Sequence, residues 1–134
     1  MSNQDLFQKV KDLNLPFGKY ALFGSAPMGV RGLKECHDID IIVTEDLWNE
    51  FKIKNWEEKT APSGSQYLCK GEIELWKDWR PGEWDILELI AEAEIIDDLP
   101  FVKLERVMEW KKISAREKDL IDVKTIEDFL MPRK

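Results

Sequence analysis

Residues 20–44 read YALFGSAPMGVRGLKECHDIDIIVT and contain the two strands around which we expect the chain to fold. The run from Tyr20 to Phe23 is aromatic and aliphatic without a break, which predicts a buried strand. Gly24 and Ser25 follow it and indicate a turn, because glycine adopts conformations that a side chain blocks. The segment from Asp38 to Val43 predicts the second strand, which also carries two acidic residues.

This second strand has acidic residues at alternate positions, Asp38 and Asp40. Successive side chains on a strand point to opposite faces, so these two carboxylates are expected to share one face while Ile39 and Ile41 point into the core. Two carboxylates so close together repel each other unless a cation lies between them. A divalent metal ion meets this requirement, since hard cations bind carboxylate and phosphate oxygens together. The alternative is a strand-start residue followed by a solvated one.

The turn before the link adds a second chemical feature. Successive backbone N–H groups in such a turn can hold an anion, and Ser25 adds a hydroxyl donor. A strand, a Gly-Ser turn, a link and a strand bearing Asp-x-Asp resemble the nucleotidyltransferase superfamily, which includes polymerase beta, the lincosamide and kanamycin nucleotidyltransferases and small stand-alone members. The resemblance implies that Gly24 and Ser25 hold nucleotide phosphates and that Asp38 and Asp40 bind Mg²⁺ or Mn²⁺.

The link from Ala26 to His37 departs from that family. It is slightly longer than in the small members, and Pro27, Gly29 and Gly32 predict a poor helix where the family has a short one. We therefore expect the phosphate contacts to differ from those of the family more than the fold does.

A hairpin is predicted from Gln66 to Trp76, with a turn at Lys70-Gly71, and it should extend the sheet of the first two strands. The resemblance implies a third carboxylate on its second strand. Glu74, between Ile73 and Leu75, fits best as a metal ligand that also helps to deprotonate the acceptor. Glu72 shares its face and remains the alternative, and a solvated strand face would need neither residue.

The remaining elements are predicted from apolar spacing and capping residues. Helices are expected after Ser2, after Thr44, over Asp85–Glu94, over Leu104–Ile113 and from Ser114 to a stop at Met131-Pro132, with weaker strands at Trp56–Thr60, Ile95–Ile96 and Phe101–Val102. The last helix is expected to bury Leu120, Val123, Ile126 and Leu130. The tryptophan-rich loop from Lys77 to Trp84 either anchors to the core, which we favour, or stacks a base or an acceptor.

The segment from Glu109 to Asp122 resembles the C-terminal signature of the lincosamide-type and abortive-infection-type branch of the superfamily. By that match Lys111, Lys118 and Asp119 take the signature positions, and the two lysines are expected to contact the triphosphate near a helix start. Without the resemblance, these residues are ordinary helix-surface charges, for instance a pair between Lys118 and Asp122.

The composition limits the classes of partner that the chain is expected to bind. A chain of 134 residues with 43% hydrophobic and 35% charged residues is typical of one globular domain. Its net charge of −7 argues against long nucleic acid, whose affinity comes mostly from phosphate contacts. No apolar run approaches the roughly 20 residues of a membrane helix, and the start lacks a secretory pattern, so we expect a cytoplasmic protein. Cys36, Cys69 and His37 predict neither a disulfide framework nor structural zinc.

Together these patterns predict an α+β, two-layer fold in a single domain spanning residues 1–134, and the resemblance implies a nucleotidyltransferase-like mixed sheet with helices packed on one face and C-terminal helices. The expected function is metal-dependent transfer of a nucleoside monophosphate from a nucleoside triphosphate such as ATP to a hydroxyl of a small molecule or partner protein. A homodimer interface is a further way to recognise the acceptor. The alternative is a non-catalytic nucleotide- or partner-binding protein of the same fold, for example an antitoxin.

Overall fold

The computed structural model describes residues 1–131, which form a mixed seven-stranded sheet and six helices. The helices are α1 (Asn3–Asp12), α2 (Ala26–Gly29), α3 (Glu45–Lys52), α4 (Ile86–Ala91), α5 (Leu104–Ser114) and α6 (Glu117–Leu130). The strands are β1 (Tyr20–Leu22), β2 (Ile39–Val43), β3 (Glu57–Thr60), β4 (Gln66–Lys70), β5 (Ile73–Trp76), β6 (Glu94–Ile96) and β7 (Leu99–Phe101). The predicted strands are confirmed to within about two residues of their ends, and Pro132, part of the expected stop, lies outside the described residues.

The strand order is β3-β4-β5-β2-β1-β7-β6. β2 runs antiparallel to β1 and parallel to β5, and β1 also pairs in parallel with β7. The hairpin of β4 and β5 extends the sheet as expected, because β5 hydrogen-bonds along the free edge of β2. In this register Asp40 lies directly opposite Glu74.

Helices cover both faces of the sheet, so the expectation of helices on one face only is wrong. α1 and α3 pack on the face that carries Leu22 and Ile41, whereas α4, α5 and α6 pack on the face that carries Ala21 and Ile42. The reason lies in the central strands, which are apolar at successive positions and fully buried over Tyr20–Leu22. A strand that is apolar on both sides needs cover on both sides.

The link after β1 contains a short helix that the sequence interpretation did not expect. α2 begins directly after Ser25, and Pro27 is accommodated in its first turn, where proline replaces an N–H that has no helical partner. Gly29 closes the turn by donating to the Ser25 carbonyl at 2.9 Å. A Cβ atom at Gly29 would lie only 2.4 Å from the Cys36 sulfur, so this glycine permits close packing.

The last helix begins two residues later than predicted, because Arg116 and not Ser114 is its N-cap residue. Ser114 ends α5, Ala115 adopts a left-handed conformation with φ of +54°, and Arg116 caps α6. This start places Asp119 on the buried stripe with Val123 and Ile126. Leu120 and Leu130, which were expected on that stripe, are 52% and 40% exposed.

No helix within residues 1–131 combines the length and the apolar character needed to cross a membrane.

Candidate active site

Two of the three predicted carboxylates meet on the sheet face opposite α1 and α3. Asp40 on β2 and Glu74 on β5 are directly paired in register, and both are half-buried. The Nε1 of Trp76 donates to the Asp40 Oδ1 at 3.2 Å and fixes the orientation of this carboxylate.

The surroundings of Asp40 disfavour its charged form. Burial raises the pKa of Asp40 well above its usual value, and the hydrogen bond and negative charge of Glu74, followed by the charge of Asp38, raise it further. The Trp76 N–H opposes this shift by stabilising the charged form. Two adjacent carboxyl groups offer the oxygen donors that a hard divalent cation prefers, so this pair fits Mg²⁺ or Mn²⁺.

Asp38 lies beside this pair but does not complete it. It immediately precedes β2 and its side chain is exposed. Within residues 1–131, no three His, Cys, Asp or Glu side chains lie close enough together to form a ready-made metal site. The expected convergence of three acids is therefore found for two, and Asp38 would have to turn toward Asp40 to join them.

The choice between Glu72 and Glu74 follows from their partners. Glu72 forms an ion pair with Lys9 of α1 at 2.9 Å, and this hydrogen bond lowers the pKa of Glu72. Its backbone carbonyl accepts from the Ile39 N–H at the start of β2. Glu72 is thus held on the α1 side, and Glu74 is the glutamate that faces Asp40.

The predicted phosphate turn packs directly against Asp40. Gly24 is buried with φ of +60°, and a Cβ atom placed there would lie 2.5 Å from the Asp40 Oδ2. The neighbouring Phe23 N–H donates to the Asp40 carbonyl at 2.8 Å. Ser25 is half-buried, and its side chain caps no helical N–H. Glycine is required here both for the backbone conformation and for the space that the carboxylate occupies.

This double requirement predicts a difference between two glycine substitutions. Gly24→Ala should lower the free energy of unfolding by roughly 2 kcal/mol more than Gly18→Ala, since only Gly24 faces a clash. Gly18 is the matched control because its φ is +87° but nothing lies within 4 Å of the added carbon. Urea unfolding of both variants measures the difference, and equal losses would show that Gly24 serves the backbone conformation alone.

The two lysines that are expected to contact a triphosphate, Lys111 and Lys118, lie in different surroundings. Lys111 is only 4% exposed, and its Nζ lies 2.8 Å from the Asp122 Oδ2 and 3.7 Å from the Asp119 Oδ1. Burial alone would raise the pKa of Asp119, but hydrogen bonds from Arg116 and the Ser114 hydroxyl and the charges of Arg116 and Lys111 bring it down to about 2.

The contact of Lys111 with a triphosphate stays a prediction, and in this structure Lys111 belongs to a buried ion pair between α5 and α6. Its cause is the late start of α6, which turns Asp119 inward. Lys118, the second predicted phosphate ligand, is exposed on the surface of α6 and does not line the cleft beside Asp40. The predicted surface pair of Lys118 and Asp122 is replaced by contacts of Asp122 with Lys111 and Lys34.

A cleft of about 460 Å³ opens beside Asp40. Its walls include Trp76, Trp79, Trp110, Arg80 and Arg116, together with the turn at residues 61–63. Sequence reasoning did not single out Trp110 or Arg116. The sequence contains only a weak signal for this cleft. Trp76 shares a strand face with Glu74, but Trp110 and Arg116 come from segments that are distant in the chain.

The tryptophan-rich loop anchors to the core, as the sequence interpretation favoured. Trp79 is 6% exposed and stacks on Phe23 with ring centroids 4.6 Å apart and an interplanar angle of 12°. Trp79 also lines the cleft, so the same residue anchors the loop and forms part of the cleft wall.

No protein-family model matches the chain, and a comparison with curated proteins finds no match. The chemistry of the site therefore has to be inferred from its own residues and from the sequence resemblance.

Proposed function

We propose that this chain is a metal-dependent nucleotidyltransferase. The observation that carries the proposal is the packing of the Gly24 turn against Asp40, which in turn faces Glu74. A bare backbone turn next to paired carboxylates brings anion-binding N–H groups and metal-binding oxygens to one place. Nucleotide substrates need both, because their phosphates are held by N–H donors and neutralised by a divalent ion.

Asp40 and Glu74 would hold the metal ion, and Asp38 would join them by a change of side-chain orientation. When bound, the ion would neutralise the phosphates and align the displacement. The Gly24 N–H and the Ser25 hydroxyl would orient the β- and γ-phosphates. The acceptor oxygen forms a bond to the α-phosphorus, the bond to the β-phosphate oxygen breaks, and pyrophosphate leaves. Glu74 would accept the proton that the acceptor hydroxyl releases.

The direct test is incubation with each α-labelled nucleoside triphosphate, magnesium and a panel of acceptors that includes hydroxylated small molecules and cell lysate. We expect label to move covalently to an acceptor with release of pyrophosphate. Absence of transfer with every triphosphate and every acceptor, by a protein that is folded, would count against the proposal.

Glu74→Gln is expected to reduce the transfer rate by about 100-fold, because it removes both a metal ligand and a proton acceptor. Glu72→Gln is the matched control two positions earlier, in the turn before β5, and should retain the wild-type rate, since Glu72 pairs with Lys9. Initial rates of labelled product formation give the comparison. A larger loss for Glu72→Gln than for Glu74→Gln would reverse the assignment.

A second candidate function is nucleotide binding without transfer. It is favoured by the position of Asp38 outside the carboxylate pair and by the use of Lys111 in an internal ion pair. Calorimetry with ATP separates the two candidates. Binding that requires magnesium supports the enzyme, whereas binding that is independent of magnesium supports the non-catalytic protein.

A further inference from the structure

The cleft beside Asp40 has the size of a small-molecule site. Its volume of about 460 Å³ lies within the range that binds drug-sized ligands. Three tryptophans, Trp76, Trp79 and Trp110, are among the residues that line it, and so is Asp40. Gly24 and Ser25 are not among its lining residues, so the cleft is distinct from the turn that would hold phosphates.

Two of the indole rings that face the cleft are held rigidly. Trp76 is fixed by its bond to Asp40 and stacks on Tyr67 with centroids 4.3 Å apart. Trp110 donates its Nε1 hydrogen to the Arg80 carbonyl at 3.1 Å. Both rings are half-buried and line the cleft, so each leaves part of its surface for a ligand. Rigid aromatic surfaces lose little conformational entropy when a flat ring stacks on them.

The third indole carries an unused hydrogen-bond donor. The Nε1 of Trp79 is buried and has no hydrogen-bond partner within residues 1–131. A buried donor without a partner costs free energy, which a ligand with a suitably placed acceptor atom would recover. Trp79 belongs to the cleft wall, so its ring meets a ligand in the cleft; because the Nε1 atom itself is inaccessible to water, the indole has to shift slightly for a ligand acceptor to reach it.

The charge at the rim argues against a cationic ligand, which aromatic sites also bind. Arg80 has a side chain that is 48% exposed, and its contact with Asp78 is loose at 4.0 Å. Arg116 adds a second guanidinium, although Asp119 pairs with it at 2.7 Å. A neutral or anionic ring therefore suits the cleft better than an ammonium group.

We propose that this cleft binds the nucleobase of a nucleotide, stacked on the exposed surface of Trp76 and Trp110 and accepting a hydrogen bond from the Trp79 Nε1. A nucleobase has a flat aromatic face, acceptor atoms in the ring plane and no positive charge. A sugar ring offers acceptor oxygens but no aromatic face, so it gains less from stacking. The inference rests on the proposed function only for the source of the base, the donor nucleotide whose phosphates would lie at Asp40.

The test uses nucleosides, which carry no phosphate and need no metal. Adenosine, guanosine, cytidine and uridine are titrated into the full-length protein without magnesium, with methyl β-D-glucoside as the non-aromatic ring, and calorimetry measures each affinity. We expect at least one nucleoside to bind and the glucoside not to bind. Trp79→Phe, which removes the N–H and keeps an aromatic ring, should weaken nucleoside binding by about five-fold.

Trp56→Phe is the matched control. Trp56 packs against Phe51 on the other face of the sheet and does not line the cleft, so the same change there should leave the affinity unaltered. A second variant, Trp110→Leu, should weaken binding by about ten-fold or more by removing a stacking surface. Thermal unfolding by circular dichroism checks that each variant is folded, and Trp79→Phe decides alone if Trp110→Leu is not.

The proposal is overturned if wild-type protein binds no nucleoside, if it binds the glucoside as well as any nucleoside, or if Trp56→Phe and Trp79→Phe weaken binding equally. The two proposals also fail separately. Nucleoside binding without any nucleotidyl transfer would remove the catalytic proposal and leave the base site. Nucleotidyl transfer without nucleoside binding would remove the base site and leave the catalytic proposal.

Discussion

The Asp40→Asn variant is expected to lose nucleotidyl transfer by about 1,000-fold or more while remaining folded. Asp40 packs against the Gly24 turn and lies opposite Glu74, so in the proposed function it joins the group that would hold phosphates to the group that would hold the metal ion. Asparagine keeps the shape and can still accept from Trp76, but it has no negative charge for a cation. Initial rates of labelled transfer measure the effect.

The free energy of unfolding of Asp40→Asn should not fall along with its activity. Burial and Glu74 disfavour the charged form of Asp40 and raise its pKa, so a neutral side chain removes an unfavourable charge. The free energy of unfolding at neutral pH is therefore expected to be unchanged or higher in Asp40→Asn. This separates a lost metal ligand from a lost fold.

Asp46→Asn is a suitable control because it makes the same chemical change on the exposed start of α3, where Asp46 pairs with Lys19. It should transfer nucleotide at the wild-type rate. A folded Asp40→Asn protein with wild-type transfer would refute the assignment of Asp40 to the reaction.

The central strands could be predicted from the sequence because their signals are local. β1 is a continuous apolar run that ends at Gly24-Ser25, and β2 is apolar at every position except Asp40, so both patterns can be recognised within about six residues of sequence. The hairpin of β4 and β5 was equally local, with Lys70-Gly71 between alternating segments. The pairing of Asp40 with Glu74 needed more: the resemblance to a known family supplied a third acid, and only the observed register brought Glu74 to Asp40.

The cleft could not be predicted in the same way. Its walls come from β2, the 61–63 turn, β5 with the loop after it, and the junction of α5 and α6, so no single segment carries its pattern. The cover on both faces of the sheet was also missed, although the unbroken apolar run of β1 and the consecutive Ile41, Ile42 and Val43 of β2 already called for it. In each case the deciding contacts join residues that are far apart in the chain.

The surroundings of Lys111 depend on the backbone conformation of one residue, Ala115. Ala115 adopts a left-handed conformation between α5 and α6, and this sets the rotation of α6 about its axis. With α6 so rotated, Asp119 and Asp122 face α5 and surround the Lys111 ammonium. Matching residues 109–122 to one family signature does not reveal the left-handed residue Ala115. For this reason Lys111 was predicted to contact a nucleotide phosphate.

Lys111→Met is expected to lower the free energy of unfolding by about 3 kcal/mol. Methionine fills nearly the same volume, so the loss would come from the missing charge and not from a cavity. Without the ammonium, Asp119 and Asp122 remain buried with fewer partners: Arg116 still bonds Asp119, and Lys34 still bonds Asp122. These two remaining contacts keep the expected loss at the lower end of the range for a broken buried pair.

Lys112→Met is the control one position along α5. Lys112 is exposed, so its replacement should change the free energy of unfolding by less than about 0.5 kcal/mol. Guanidinium chloride unfolding of both variants at neutral pH provides the comparison. Equal stability of the two variants would mean that the ammonium of Lys111 contributes nothing inside the protein. A role of Lys111 toward a bound phosphate would then again be the better explanation for a lysine at this position.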